Sequence, residues 1–271
     1  MTSRNNPLTQ PRDSGRRRQR RSRLLAGALA VVCVAGVVLT WWLLVVHVTG
    51  QAMEQAALDG SRIGARFVSD HARNLLHVVS LPAAIGLVLV VLAGALWRGS
   101  RRRALWAAGA VIAINVSTQV LKYVILWRPD YGLFRKFGGM NTLPSGHTAV
   151  AASAAVALIL VTGPRWRGVA AWAGAALAAA MGYSTLVCQW HRPGDVIAAL
   201  LLAIAWGAVA IAGGAWVDET QPADSESAGR AHATPPPPAG VEGAKVGEPP
   251  SARLSSAAVL GGLGILAGAA A

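Results

Sequence analysis

The chain has 271 residues, 54% of them hydrophobic and only 14% charged, with a formal charge of +13. Soluble domains carry about 25% charged residues. The apolar residues here fall in long blocks, which excludes a single large water-soluble core and points to an integral membrane protein of several helices.

Residues 1–23 read as a disordered basic cytoplasmic arm. Arg4, Arg12, Arg16, Arg17, Arg18, Arg20, Arg21 and Arg23 stand there against Asp13 alone. No aromatic side chain interleaves them to stack on bases, so the arm predicts an inner membrane flank and no nucleic-acid partner. Residues 24–46 form the first expected span, with Trp41 and Trp42 near its outer end. It is too long for a signal-peptide core and lacks a small-residue cleavage pattern, so it reads as retained. Residues 47–74 are polar and mixed in sign, an outer segment with room for an amphipathic helix.

A second span is expected at 75–97, followed by the inner cations Arg98, Arg101, Arg102 and Arg103. The third covers 104–121, and 122–143 form an outer loop with a Gly138-Gly139 turn signal. The fourth, fifth and sixth spans are expected at 147–161, 169–190 and 196–217. The fold class is therefore all-α, a polytopic helix bundle with a six-span domain over 24–217. Residues 218–253, rich in Pro and Ala, cannot bury enough apolar surface to fold and read as a disordered tail. Residues 254–271 are apolar again and read as either a seventh span or an interfacial segment. Cys33 and Cys188 lie in different apolar blocks, which argues against a disulfide, and no Cys/His spacing suits zinc.

The basic loops fall on one side under this topology; Lys122, Arg128, Arg135, Lys136 and Arg192 break the rule. Cations that oppose the orientation bias need a separate reason, and a bound anion supplies one. Lys122 ends the third span, and Arg128 follows six residues later, biased out of helix by Pro129. An arginine fork and a lysine point charge suit phosphate oxygens, although an interfacial snorkelling pair reads the same way. Pro144-Ser145-Gly146-His147 opens the fourth span. Ser145 is a natural cap, and the first helical amides point at whatever lies in front, an anion cradle. An ordinary capped helix followed by a histidine is the plainer alternative. His191 lies just ahead of the sixth span and Asp195 within its first turn. A carboxylate there fixes the imidazole tautomer and frees the other nitrogen for nucleophilic attack; otherwise it merely complements the helix dipole.

Taken together, Lys122-x5-Arg128-Pro129, then Pro144-Ser145-Gly146-His147, then Ser184, His191 and Asp195, resemble the type 2 phosphatidic acid phosphatase family of membrane lipid phosphatases, whose site is shared with vanadium haloperoxidases. The resemblance runs from about residue 75 to residue 217. It implies a metal-independent lipid phosphatase without cofactor, acting on a lipid phosphate or polyprenyl (pyro)phosphate through a phosphohistidine. It assigns His191 as nucleophile, His147 as acid and base and Asp195 as the orienting carboxylate, with Lys122, Arg128, Ser145 and Gly146 holding phosphate. One position departs: the arginine that follows the serine in the family is Thr185 here, with Arg192, Arg135 and Lys136 as candidate replacements. That departure keeps open a non-catalytic binding or transport protein, or a phosphotransferase using the same site. The expected location is a bacterial plasma membrane, N-terminus inside and site outside. Trp127, Tyr131 and Phe134 read as interfacial aromatics or as guides for a lipid chain. Nothing in the sequence specifies an oligomeric state.

Overall fold

A computed structural model describes residues 10–61, 101–133 and 140–217, together with single positions between 63 and 93. Those described residues lie within one unit, residues 1–222, and contain no β-strand. Six α-helices are described: α1 Gln10–Thr40, α2 Val48–Gly60, α3 Arg101–Val120, α4 Gly146–Val161, α5 Arg167–Val187 and α6 Pro193–Ala212. Two π-type turns, Trp41–Val46 and Leu121–Ile125, extend α1 and α3. Four apolar segments are long enough to cross a membrane: Gly15–Val46, Arg101–Ile125, Arg167–Val187 and Pro193–Ala212; α4 is a shorter apolar helix. The expected span at 75–97, the tail at 218–253 and the segment at 254–271 lie outside the described residues.

The packing is that of a bundle in lipid. Many buried positions are small, and many large apolar side chains point outward. Leu24, Val31, Val38, Leu105, Ile112, Val169 and Trp172 are all exposed. The inner face of α4 is alanine at Ala149, Ala151, Ala152, Ala154, Ala155 and Ala157. In hydrocarbon no hydrophobic force draws helices together, so close backbone approach through small residues carries the association. On α5, Gly174, Ala178 and Gly182 recur every four residues and are all buried. A Cβ at Gly174 would stand 2.7 Å from Ala155 Cβ, and one at Gly182 would strike Val196 at 2.6 Å. Helix α4 thus packs against α3, α5 and α6 at once, while α1 lies along α6.

Two ends of the bundle differ in charge. At one end, Arg23 Nε donates to Ala212 O (2.6 Å) and Arg102 Nε to Gly214 O (2.8 Å), while Arg167 stacks on Trp216 at 3.8 Å. Cations from three separate segments gather at the C-terminal end of α6, where the helix dipole favours them. The other end gathers the C-termini of the α1, α3 and α5 segments with the N-termini of α4 and α6, and it holds every polar residue of the site.

Three sequence expectations change. Residues 10–23, expected to be disordered, are helical and continuous with the first span. Arginine is a good helix former, and extending a helix already nucleated by the span requires no new nucleus. The fifth span ends at Val187, not 190, because Gln189 adopts φ 58° in the left-handed region. The sixth starts at Pro193 and stops at Ala212, since proline occupies the first turn and Gly213-Gly214 follow the end.

Filling the α4–α5 contact should cost about 1–3 kcal/mol of stability by overpacking. Gly174→Val is therefore expected to lower the thermal midpoint of the detergent-solubilised protein. Gly109→Ala, where an added methyl meets nothing within 4 Å, is expected to leave it unchanged or raise it. Equal midpoints for the two variants would contradict the packing described.

Candidate functional site

The site is built where three chain segments meet at the N-terminal ends of α4 and α6. Leu126 turns extended after the π-type turn (φ −95°, ψ 126°), so Lys122 stays in the helix end while Arg128 leaves it. Asn141 Nδ2 donates to the Lys122 and Leu126 carbonyls (3.2 and 2.9 Å), tying that stretch to the approach to α4. Ser145 caps α4 by accepting from Thr148 N at 3.3 Å. Its own amide donates to the Asp195 carbonyl at 2.9 Å, so the N-termini of α4 and α6 are joined directly. The first-turn amides of Gly146 and His147 have no intrahelical acceptor, as in any helix, whereas the Ser145 amide, expected to face an anion, is spent on Asp195.

Asp195 is fully buried. Its Oδ2 accepts from Thr142 Oγ1 (2.7 Å) and from Arg192 N (3.0 Å) and lies 3.1 Å from His191 Nδ1. Arg192, also fully buried, donates from Nη1 to Thr142 Oγ1 at 2.8 Å. Thr142, Asp195 and Arg192 thus form one closed polar ring beside His191. The His147 ring lies 6.3 Å from the His191 ring, centroid to centroid, and 5.3 Å from Trp190. Lys122 lies within electrostatic reach of Asp195 and of His147.

Arg128 meets a residue that sequence reasoning did not single out. Glu54, on α2, places Oε2 3.6 Å from Arg128 Nη1, with both side chains almost wholly buried. Glu54 Oε1 accepts from Gly194 N at 3.0 Å, at the start of α6. Next to it, Gln51 Nε2 donates to Val45 O (2.7 Å) and to Pro129 O (2.9 Å). Helix α2 therefore grips both the Arg128 loop and the head of α6. At its far end Gln189 Nε2 donates to Leu58 O (2.6 Å) and Ser61 Oγ (2.7 Å). Those bonds offset the cost, roughly 1–2 kcal/mol, of a left-handed glutamine. The turn held this way presents Trp190 and His191.

Five charged groups converge: Lys122, Arg128 and Arg192 against Glu54 and Asp195. Burial first, and the Asp195 carboxylate second, push the Glu54 carboxyl up to about 7, against the pull of Arg128, Arg192 and the Gly194 amide. Burial and then the neighbouring Arg192 bring the Arg128 guanidinium down to about 10, which leaves it charged at neutral pH. Burial likewise lowers Arg192, opposed by Asp195 and Glu54.

All seven residues singled out from the sequence lie in this end of the bundle. His147, His191 and Asp195 form one contiguous group; Ser145 and Gly146 form the turn beside it; Lys122 and Arg128 approach from the end of α3. Thr185, in the place of the family arginine, is fully buried and donates to Gly182 O at 2.7 Å. Arg135, Lys136 and Phe134 lie outside the described residues. Sequence reading missed Glu54, Gln51, Thr142 and Gln189. For Glu54 a signal existed: the cations that break the orientation bias outnumber the acids beside them, and the outer segment before residue 75 carries further acids. Among the described residues, no group of three or more His, Cys, Asp or Glu is placed to hold a metal ion.

Comparison with known proteins converges on the same region. The PAP2 superfamily model matches residues 103–217. Among solved structures, the fold is similar to one described as the first transmembrane PAP2 type phosphatidylglycerolphosphate phosphatase from Bacillus subtilis. That likeness has a TM-score of 0.57 and 16% identity, and it covers 72% of this chain and 98% of the other. At that identity it speaks for the fold. No curated protein matches the chain. Residues 103–217, which carry Lys122, Arg128, Ser145, Gly146, His147, His191 and Asp195, are the part of the chain similar to the PAP2 superfamily.

Proposed function

We propose that this integral membrane protein is a metal-independent phosphatase that hydrolyses a lipid phosphate or polyprenyl (pyro)phosphate through a phosphohistidine. The observation that carries the reading is the pair of imidazoles 6.3 Å apart, one of them held at 3.1 Å by a buried carboxylate. Asp195 accepts at Nδ1 of His191, which leaves Nε2 with its lone pair available to attack phosphorus. His147 stands across from it to protonate the leaving oxygen and then to activate water for hydrolysis of the phosphohistidine.

Phosphoryl transfer demands positioning and charge stabilisation more than covalent machinery. Lys122 and Arg128 supply cations, and the first-turn amides of α4 at Gly146 and His147 supply donors reinforced by the helix dipole. Ser145 fixes that turn through its cap. Arg192, beside the nucleophile, supplies the charge that Thr185 lacks. The substrate end of the site faces outward in this reading, because the arginine-rich opposite end obeys the inward bias of basic flanks. A lipid substrate suits a site at the ends of membrane helices, and exposed Trp127 and Tyr131 stand beside it.

The deciding experiment is phosphate release from a panel of lipid mono- and diphosphates by the wild type and His191→Ala in parallel. Wild-type release on at least one substrate, reduced at least about 10³-fold in the variant as for loss of a nucleophile, is the expected result. Identical background on every substrate would leave a binding or transport protein, and product formed only with an added acceptor alcohol would mark a phosphotransferase.

Activity is expected to persist in EDTA and to fall with orthovanadate, which adopts the five-coordinate geometry of the transition state. Loss of activity on chelation would end the metal-free assignment. For orientation, Met140→Cys in a background lacking Cys33 and Cys188 is expected to react with an impermeant thiol reagent on intact cells, since Met140 is exposed at the site end. Labelling only after lysis would reverse the topology.

A further inference from the structure

Among the described residues before the matched region, Glu54 reaches into the site from α2. It is 2% exposed, and it bonds two elements that the chemistry needs in fixed relation. Oε1 takes the Gly194 amide at the head of α6, one residue from Asp195 and three from His191. Oε2 faces Arg128 Nη1. The space there is tight: a Cβ at Gly194 would run into Glu54 Oε1 and stand 3.1 Å from Leu44 Cδ1. Glycine at 194 is thus what lets the carboxylate reach the helix end.

Resting on the phosphatase reading above, we propose that Glu54 is a positioning residue. Its charge orients the Arg128 guanidinium toward the phosphate and locks that arginine to the helix that carries the nucleophile's partner. Glu54 touches no substrate; it acts through Arg128. An arginine fork binds an oxyanion well only when its plane is fixed, and a carboxylate on one terminal nitrogen fixes it. Helix α2, held by Gln51 to the carbonyl of Pro129, supplies the rigid base for this contact.

Ionisation makes the contact pH-dependent. The groups facing Glu54 are Arg128 from the segment after α3 and Asp195 and Arg192 from the start of α6. With the carboxyl raised from its ordinary 4.5 to about 7, the folded chain keeps a proton that the unfolded chain releases across that window. The stability owed to Glu54 is therefore greatest at acid pH and falls as pH rises from about 4.5 to about 7. The hold on Arg128 runs the other way, since only the carboxylate is an ion-pair partner. The two pH trends are opposite, which separates a positioning role from a structural one.

The test uses the full chain in detergent, with orthovanadate as the probe and the affinity read from inhibition or from the vanadate-dependent rise in thermal midpoint. Glu54→Gln keeps an acceptor for the Gly194 amide and removes the charge. It is expected to weaken vanadate about tenfold at pH 8, the size of one charge-assisted contact. In an Arg128→Ala background the same substitution is expected to change affinity less than about twofold, because a residue acting through Arg128 has nothing left to act on. The ratio of dissociation constants, Glu54→Gln over wild type, should shrink toward one from pH 8 to pH 6. That ratio cancels the titration of vanadate and of every group the two proteins share. Should Glu54→Gln prove too unstable to purify, Gly194→Ala displaces the carboxylate with its charge intact and is expected to weaken vanadate in the same Arg128-dependent way.

Equal losses with and without Arg128, or a ratio independent of pH, would overturn the proposal and make Glu54 a structural strut. Wild-type binding with no effect of either variant would overturn it while leaving the phosphate site standing. A wild type that binds no vanadate and is indistinguishable from His191→Ala would overturn the phosphatase reading and this inference with it.

Discussion

A fully buried carboxylate at the end of a membrane helix is the constraint from which the rest of this site follows. Removing Asp195 from water is costly unless donors meet it. The donors come from separate parts of the chain: Thr142 ahead of α4, the Arg192 amide in the α5–α6 turn, and His191 beside it. The carbonyl of the same residue takes the Ser145 amide. The contacts to one carboxylate oxygen and one carbonyl therefore fix the relative position of two helix N-termini and a histidine. Any looser arrangement would leave a charge unmatched in a medium that punishes it, so the hydrogen bonds that make the fold tolerable also hold the site's groups in fixed positions.

The membrane setting explains why these groups can be held so firmly. Helix α4 is surrounded by α3, α5 and α6 through alanine and glycine contacts, with bulky side chains turned to lipid. Short side chains lose little rotamer freedom on packing and bring backbones close, so the heads of α4 and α6 cannot drift apart. The polar load is then partitioned. Arginines that need only helix C-termini and interface collect at one end. Arginines and lysine that need specific carboxylates collect at the other.

Much of the site was legible in the sequence because its signals are local. Pro144-Ser145-Gly146 and Pro193-Gly194-Asp195 are helix starts written in residues whose backbone preferences are strong, and they place His147 and His191 near helix ends without any knowledge of tertiary contacts. The all-helical class was legible from the apolar blocks for the same reason. What escaped reading depends on contacts far apart in the chain. Thr142 and Asp195 are 53 positions apart, and Glu54 and Gly194 are 140 apart; no periodicity or turn rule reports such pairs. The helical extension of α1 through Arg16–Arg23 was misread because composition was weighed as for an isolated segment, whereas a helix already formed in lipid extends at little cost. The early end of α5 at Val187 escaped because Gln189 adopts a left-handed conformation that its sequence gives no reason to expect; its partners on α2 hold it there.

Thr185 and Arg192 show how one turn divides its work between a buried hydroxyl and a buried cation. Thr185 is enclosed in α5, its hydroxyl turned back to Gly182 and its carbonyl receiving the amides of Trp190 and His191. It is part of the turn that presents Trp190 and His191. Seven residues on, Arg192 sits fully buried with one nitrogen anchored on Thr142 and with Asp195 and Glu54 as its opposing charges. The threonine that holds this guanidinium also donates to the Asp195 carboxylate, which faces His191. The arrangement concentrates three cations and two carboxylates around a pair of imidazoles.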